Sequence, residues 1–548
     1  MKPLPFNGVI EWMNLFINDW NFKIMTQKQW ILFVLMAVAL QGVSRFSAVG
    51  WVDFCQDDWH FWNVARSMKS VPDIVAATCL HPFRPVSAMV QLILFHSCGD
   101  RPWIFYILGM IMHTVFLLVL MRILYALSRD TRVAFIGAAI FSLLPNLTES
   151  FYWPELNAIS YVYVAYGLSA LFWIRYARTG CWSDCVISVL GYVVGVFSYE
   201  TGAFLPLAYP VLLGMEGLRR AGKGFMPFAA VMVFYLLWRT TLGFGLGQNI
   251  LYPNAQLTPA ISMDIGLWNL KEILRWWIGG YFLDSLRSGL NGFLDLSVWH
   301  QRALGVLDCT TIMMCLWLWG RSRRREVNDH DVTRPAFLFN RTVFFGCAWV
   351  CVAYFPCLVS YTAGRLNYLP AVGIALVLSL ILVRWFNLSK PLGIVALAIL
   401  CLMVNQGTAH SWKVSGQFQR HLFNYVKESE PQWCDKDLVL FDTLSLQQRL
   451  TQGLLHPVKV EDKSWYHNQN AVLFKGFALN AMLELVATSN LPPRGILDAE
   501  HYAQWDNDTL IWHEKWDANV CHSTSVDKVF FIDCFEAGQG ALSEILYR

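Results

Sequence analysis

Runs of roughly twenty mostly apolar residues, long enough for a helix to cross the hydrocarbon core of a bilayer, recur about eleven times before residue 410. Their limits fall near 30–50, 103–122, 133–149, 157–175, 185–199, 202–217, 225–242, 302–320, 342–360, 368–384 and 391–409. The bulk of the chain therefore belongs in a membrane, as an α-helical polytopic protein. Composition agrees: 55% of the residues are hydrophobic and 15% charged, against about 25% charged in soluble proteins. A formal net charge of +3 provides no basic field for nucleic acid, so positive residues matter by location rather than by sum.

Their location is informative. Arg122, Arg129 and Arg132 fall in one connection, Arg175 and Arg178 in the next but one, then Arg219, Arg220 and Lys223, then "GRSRRREVNDHDVTRP", and lastly Arg384 and Lys390. Every second connection is basic. By the positive-inside rule the N-terminus is expected in the cytoplasm, with the 51–102 loop, the 243–300 segment and the tail after His410 outside. The expected setting is a bacterial inner membrane with those parts in the periplasm. The opening residues are mixed and amphipathic, without a short apolar run ending in a small-residue cleavage site, so the first window reads as a retained signal anchor.

Both outer loops are too long to be mere connections and should contain interfacial helices; "LWNLKEILRWWIGGYF" fits one. Residues 1–410 form the expected membrane domain. From Ser411 to Arg548 charges and amides return, and "DLVLFDT" and "DKVFFIDCF" read as buried strands, which predicts a small C-terminal α/β domain outside the membrane. The cysteines show no metal-ligand spacing, and several pack as small hydrophobes. Cys521 and Cys534, close in sequence within the outer domain, are expected to pair if the compartment is oxidising.

Chemistry-bearing residues collect at the outer helix ends. Asp57 and Asp58 follow the first window in "FCQDDWHFWNVARSM". A carboxylate there can take a proton from an acceptor hydroxyl while its neighbour orients it, and the plain alternative is a polar stop signal. "HPFRPVS" opens on His81 and sets Arg84 before a proline, which holds its backbone extended and presents a planar guanidinium suited to phosphate or carboxylate. Arg84 could equally snorkel to headgroups or pair with the aspartates. Glu149 and Glu155 flank "NLTESFYWPELN", Glu200 sits in "FSYETGAFLP", Arg239 ends "YLLWR", and Arg365 and Tyr368 lie in "GRLNYLP". Acids and arginines on one membrane face, at the ends of different helices, match what an anionic lipid-linked substrate requires.

Taken in order, these motifs resemble the GT-C superfamily of polyprenyl-phosphate-dependent glycosyltransferases, across the whole membrane part. "QDDWHFW" resembles the acidic pair in the first outer loop of protein O-mannosyltransferases, and "HPFRPVS" the group's Phe-Arg-Pro element. "SYETGAFLP" resembles a Ser-Lys-Glu signature, with Tyr199 where lysine is usual. "YLLWR" and "GRLNYLP" resemble the Tyr-x-x-x-Arg and Arg-x-x-Tyr-Leu-Pro elements of bacterial members. Compact members include the enzymes that glycosylate type IV pilins.

The resemblance implies inverting transfer of a sugar from a polyprenyl phosphate to an acceptor hydroxyl on a protein or glycan, among membrane lipids. It casts Asp57 as base with Asp58 in support, and Arg84, Arg239, Arg365 and Tyr368 as donor-phosphate contacts. His81, Glu155 and Glu200 are supporting residues. No cofactor is called for; the acidic pair leaves room for a divalent cation, although no ligand set stands at metal spacing and enzymes with monophosphate donors manage without one.

Two other classes compete. A transporter should carry ionisable residues near the bilayer midplane and an inverted repeat, whereas the acids singled out above stand at helix ends. An assembly protein could use the Trp-rich tail (Trp412, Trp433, Trp465, Trp505, Trp512, Trp516) for binding, but tryptophans buried in a small core explain it more simply.

Overall fold

Helices dominate, as they must where backbone polar groups find no water. The computed structural model describes residues 27–45, 53–54, 57–78, 84–147, 149–212, 214–241, 263–294, 296–326, 336–359, 364–385, 391–442, 476–487, 494–497, 504–506, 509–514 and 517–533. The principal helices are α1 (Gln27–Ser44), α2 (Asp57–Ser67), α3 (Pro85–Cys98), α4 (Pro102–Ser128), α5 (Thr131–Leu143), the short α6 (Pro154–Ala158), α7 (Tyr161–Thr179), α8 (Trp182–Ser198) and α9 (Gly214–Thr241). There follow α10 (Met263–Ile278), α11 (Gly280–Leu294), α12 (Val298–Glu326), α13 (Ala336–Val359), α14 (Tyr368–Trp385), α15 (Pro391–Glu428) and α16 (Gly476–Val486).

Three stretches among the described residues are long and apolar enough to cross a membrane: Pro102–Ser128, Gly222–Thr241 and Arg365–Val383. Pro85–Cys98, Thr131–Leu143, Trp182–Ser198 and Thr342–Leu358 are shorter apolar helices. The helices turn apolar side chains outward, Ile111, Leu190, Leu237, Met313 and Phe344 among them. On α10 the polar Asn269 and Glu272 are buried while Leu267, Trp268, Leu274 and Ile278 are exposed, the reverse of a helix on a soluble core. The expected window 202–217 is not one helix. Its residues Leu205–Leu212 form a 3-10 segment containing Pro210, and at about 2 Å per residue such a segment is too short to span.

Both long loops contain helices, α2 and α3 in the first, α10 and α11 in the second. The expected boundary at residue 410 falls inside α15, which runs unbroken for 38 residues. Glycines set one of its contacts: a Cβ on Gly407 would strike the Gly289 carbonyl of α11, and one on Gly289 the Val404 carbonyl, so side-chain-free positions let these backbones meet.

Beyond α15, β1 (Leu438–Asp442) lies between β2 (Arg494–Leu497) and β6 (Val529–Asp533), both parallel to it. β3 (Gln504–Asp506), β4 (Thr509–Glu514) and β5 (Asp517–Ser525) form an antiparallel meander. In the chain α16 falls between the parallel strands β1 and β2, and the strands of the meander follow β2 in succession. This part shares its core with the first loop: Phe54 and Trp59 pack in one cluster with Phe95, Phe418, Trp433, Val439, Met482 and Ile532. Trp412 and Trp433 are buried. The side chain of Cys521, and Cys534 altogether, lie outside the described residues.

Candidate active site

Proline shapes the first corner. Pro85 occupies the first turn of α3, where its missing N–H is no loss, and Arg84 caps the helix through its backbone alone. Its guanidinium reaches Glu200 instead, with Nε and Nη2 donating to Oε2 and Oε1, each at 2.7 Å. Arg239, in the last turn of α9, approaches the same carboxylate at 3.4 Å and donates to the Tyr235 hydroxyl at 3.2 Å. Burial alone would raise the Glu200 carboxyl, but the Arg84 and Arg239 charges outweigh it and hold the group down at about 2.

The turn carrying Glu200 is braced from beneath. Tyr166 of α7 donates its hydroxyl to the Tyr199 carbonyl at 2.7 Å, and a Cβ on Gly202 would collide with the Tyr166 ring. Tyr199 then links two arginines. Arg84 stacks over its ring at 4.4 Å, and its hydroxyl accepts from Arg365 Nε at 3.2 Å. Both contacts favour cations, through the ring face and the phenolic oxygen.

Arg365 lies in a 3-10 turn just before α14. Its backbone N–H and Nη1 donate to Glu149 Oε2 at 3.1 and 3.3 Å, and its guanidinium lies 5.5 Å from the Trp153 ring centroid. Trp153 leads into α6 through Pro154. At α6, Asp58 Oδ1 accepts the backbone N–H of Glu155 at 2.7 Å, while Gln91 of α3 donates to Glu155 Oε1 at 3.1 Å. Contacts, with one backbone step from Glu155 to Trp153 at the start of α6, thus join Asp58, Glu155, Trp153, Arg365, Tyr199, Arg84, Glu200 and Arg239.

Most of the sequence-predicted residues meet in this chain, in unequal positions. Arg84 and Arg365 remain 27% and 23% exposed, whereas Arg239 is 5% exposed behind Glu200. Arg84 and Arg365 thus keep part of their side chains accessible, while Arg239 is covered. Asp58 is fully buried. Asp57 opens α2, and its side chain, like His81, lies outside the described residues.

Tyr368 stands elsewhere. It is fully buried, stacked on Tyr163 with centroids 3.8 Å apart, and its hydroxyl is 2.7 Å from His113 Nδ1. His113 Nε2 lies 2.9 Å from the Ser150 carbonyl, which can only accept, so in the neutral ring Nδ1 accepts from Tyr368. Expected as a phosphate contact, Tyr368 instead holds the helices beneath the site. Among the described residues no three His, Cys, Asp or Glu side chains are grouped to hold a metal.

Sequence reasoning missed two buried groups. Arg45 donates to the Ser142 carbonyl at 3.0 Å, to Asn405 Oδ1 at 2.8 Å and to the Leu144 carbonyl, with its guanidinium over Phe151. Its signal was a lone arginine in the first apolar window. Asp308 is buried within the 302–320 window, where Oδ1 accepts from Gln406 Nε2 at 2.6 Å and Oδ2 has no hydrogen-bond partner among the described residues. Arg45 directly follows α1, whereas Asp308 stands within α12, away from either helix end. No known protein family matches the chain, and no curated protein matches it significantly.

Proposed function

We propose that this chain is an inverting glycosyltransferase that uses a polyprenyl-phosphate sugar, of the kind its motifs resemble, with a protein hydroxyl as acceptor and a pilin as one candidate. One observation carries the reading: the contact chain that links the Asp57–Asp58 corner through Glu155 and Trp153 to the outer guanidiniums of Arg365 and Arg84. In the proposed reaction the acceptor oxygen attacks the anomeric carbon as Asp57 takes its proton. The bond from that carbon to the phosphate oxygen breaks, and its electron pair leaves with the polyprenyl phosphate, whose charge Arg84 and Arg365 stabilise. The reading places the site and the C-terminal domain on the outer face of an inner membrane.

The test compares surface glycoproteins and lipid-linked glycans by mass spectrometry in cells carrying the wild-type chain, Asp57→Asn or none. Loss of one glycan, with its lipid-linked precursor accumulating, is expected in the latter two. Unchanged glycans in cells without the chain overturn the reading. If the glycan is lost from a polysaccharide or lipid instead of a protein, the acceptor is reassigned.

Asp308 supports a second reading, transport coupled to a proton or cation, because a buried carboxyl on an apolar helix is what such a device uses. Solute uptake by protein-containing liposomes, abolished in Asp308→Asn, would favour it over sugar transfer.

A further inference from the structure

Toward the ends of α4 and α7 farthest from the acid and arginine chain lies a shallow cleft lined by Arg122, Arg175 and Arg178 with Leu171 and Ile174. Its α7 lining, Leu171 to Arg178, lies roughly 15–25 Å along the helix from Tyr161, the α7 end next to Glu155, at 1.5 Å per residue. Residues 122–132 and 175–184 together hold five arginines and two aspartates, so this end carries a positive excess. The arginines are fixed in place: Arg175 pairs with Asp184 at 3.3 Å, and Arg178 donates to the Ala126 carbonyl near the end of α4.

An apolar path leads away from the same end. Trp182 begins α8 with its ring 5.7 Å from that of Tyr176, and Trp182, Val186, Leu190 and Val194 form an exposed stripe along that helix. A guanidinium cluster at one end, an interfacial tryptophan beside it and a hydrocarbon-compatible stripe beyond match the order of headgroup, glycerol region and acyl chain in a phospholipid.

We propose that this cleft is a headgroup site for an anionic phospholipid, in the leaflet opposite the acid and arginine chain. The lipid phosphate sits at the mouth between Arg122 and Arg178, and an acyl chain lies along α8. Arg175, held by Asp184, contributes field rather than a direct contact. The proposal rests on the chain spanning a membrane and is independent of the sugar-transfer reading.

The test uses the full-length protein in detergent, with bound lipid counted by native mass spectrometry after titration with dioleoylphosphatidylglycerol, dioleoylphosphatidylcholine or inorganic phosphate. Retention of the glycerol lipid over the choline lipid is expected, with no competition from inorganic phosphate at equal concentration. Removing one arginine should weaken retention roughly fivefold, in Arg122→Gln and Arg178→Gln separately, while Arg122→Lys should retain lipid because the charge remains. Arg122→Lys also serves where Arg178→Gln, having lost its bond to Ala126, fails to elute as a single species. Equal retention of both lipids, or wild-type retention in Arg122→Gln, overturns the site. Displacement of lipid by inorganic phosphate shows a phosphate pocket instead and overturns the lipid assignment.

Discussion

Glu200 grips Arg84 through both carboxylate oxygens, each at 2.7 Å, and the same carboxylate is the ion-pair partner of Arg239. One acid thus fixes the angle of an outward-facing guanidinium and neutralises a buried one. Its removal should therefore be felt in stability before it is felt in binding.

Because the folded carboxyl is held at about 2 against an ordinary 4.5, the unfolded state binds more protons between those values. The stabilisation is complete above pH 4.5 and is lost as pH falls towards 2, for a total of roughly 3 kcal/mol. Thermal unfolding in detergent should show Tm falling from pH 5 to pH 3 in the wild type, and falling less in Glu200→Gln, which starts lower. Parallel pH slopes in the two proteins would remove Glu200 from this role.

Tyr199 serves two arginines at once: its ring faces Arg84 and its hydroxyl accepts from Arg365. Tyr199→Phe should keep the stacking and lose the hydroxyl, at a cost of about 1 kcal/mol. Tyr199→Lys sets a third cation between two others and should cost more, with part of the loss recovered in high salt as repulsion is screened. A Tyr199→Lys protein as stable as wild type at low salt would mean that the arginines do not share this residue.

How much of this was readable beforehand follows from the range of each signal. Arg84, Glu200 and Arg365 were visible as charges at the edges of apolar windows, because the cost of burying charge forces such residues towards helix ends. Which acid pairs with which arginine was not visible, since 116 positions separate Arg84 from Glu200 and only tertiary packing brings them together. Tyr368 misled for a related reason: its motif places it beside Arg365, but it begins a helix, and its side chain turns inward to His113. The 202–217 window failed on Pro210, which disrupts a run whose hydropathy alone would pass. At residue 410 polar composition rises, while α15 continues through it as one helix.

Asp58 is the member of the acidic pair whose work the structure defines. It is buried, and Oδ1 accepts the Glu155 backbone N–H at 2.7 Å, tying α2 to the first turn of α6. Asp58→Asn keeps an acceptor oxygen and should lose little folded yield, whereas Asp58→Ala strands that N–H and should destabilise by about 1–3 kcal/mol. Yield of monodisperse protein and Tm measure both. Equal loss in the two variants would point to the charge of Asp58 rather than its hydrogen bond.

Asp308 provides the sharpest division between the readings of the whole chain. Its carboxyl is buried, with one oxygen held by Gln406 and the other without a hydrogen-bond partner among the described residues, while Gln406 Nε2 also lies 3.4 Å from the Val43 carbonyl. A buried charge held by a single amide is costly, so an amide of the same shape relieves the cost and keeps the oxygen that Gln406 needs. Asp308→Asn should leave Tm unchanged or higher. Asp308→Leu removes the acceptor and should destabilise the fold by about 1–3 kcal/mol, lowering Tm. If Asp308 is only a packing group, Asp308→Asn retains full sugar transfer per folded molecule. If it is a coupling site, that variant folds normally and loses activity, and measuring both quantities on one preparation tells the cases apart. A drop in Tm for Asp308→Asn as large as that for Asp308→Leu would show that the buried charge is itself stabilising, against the argument made from its burial.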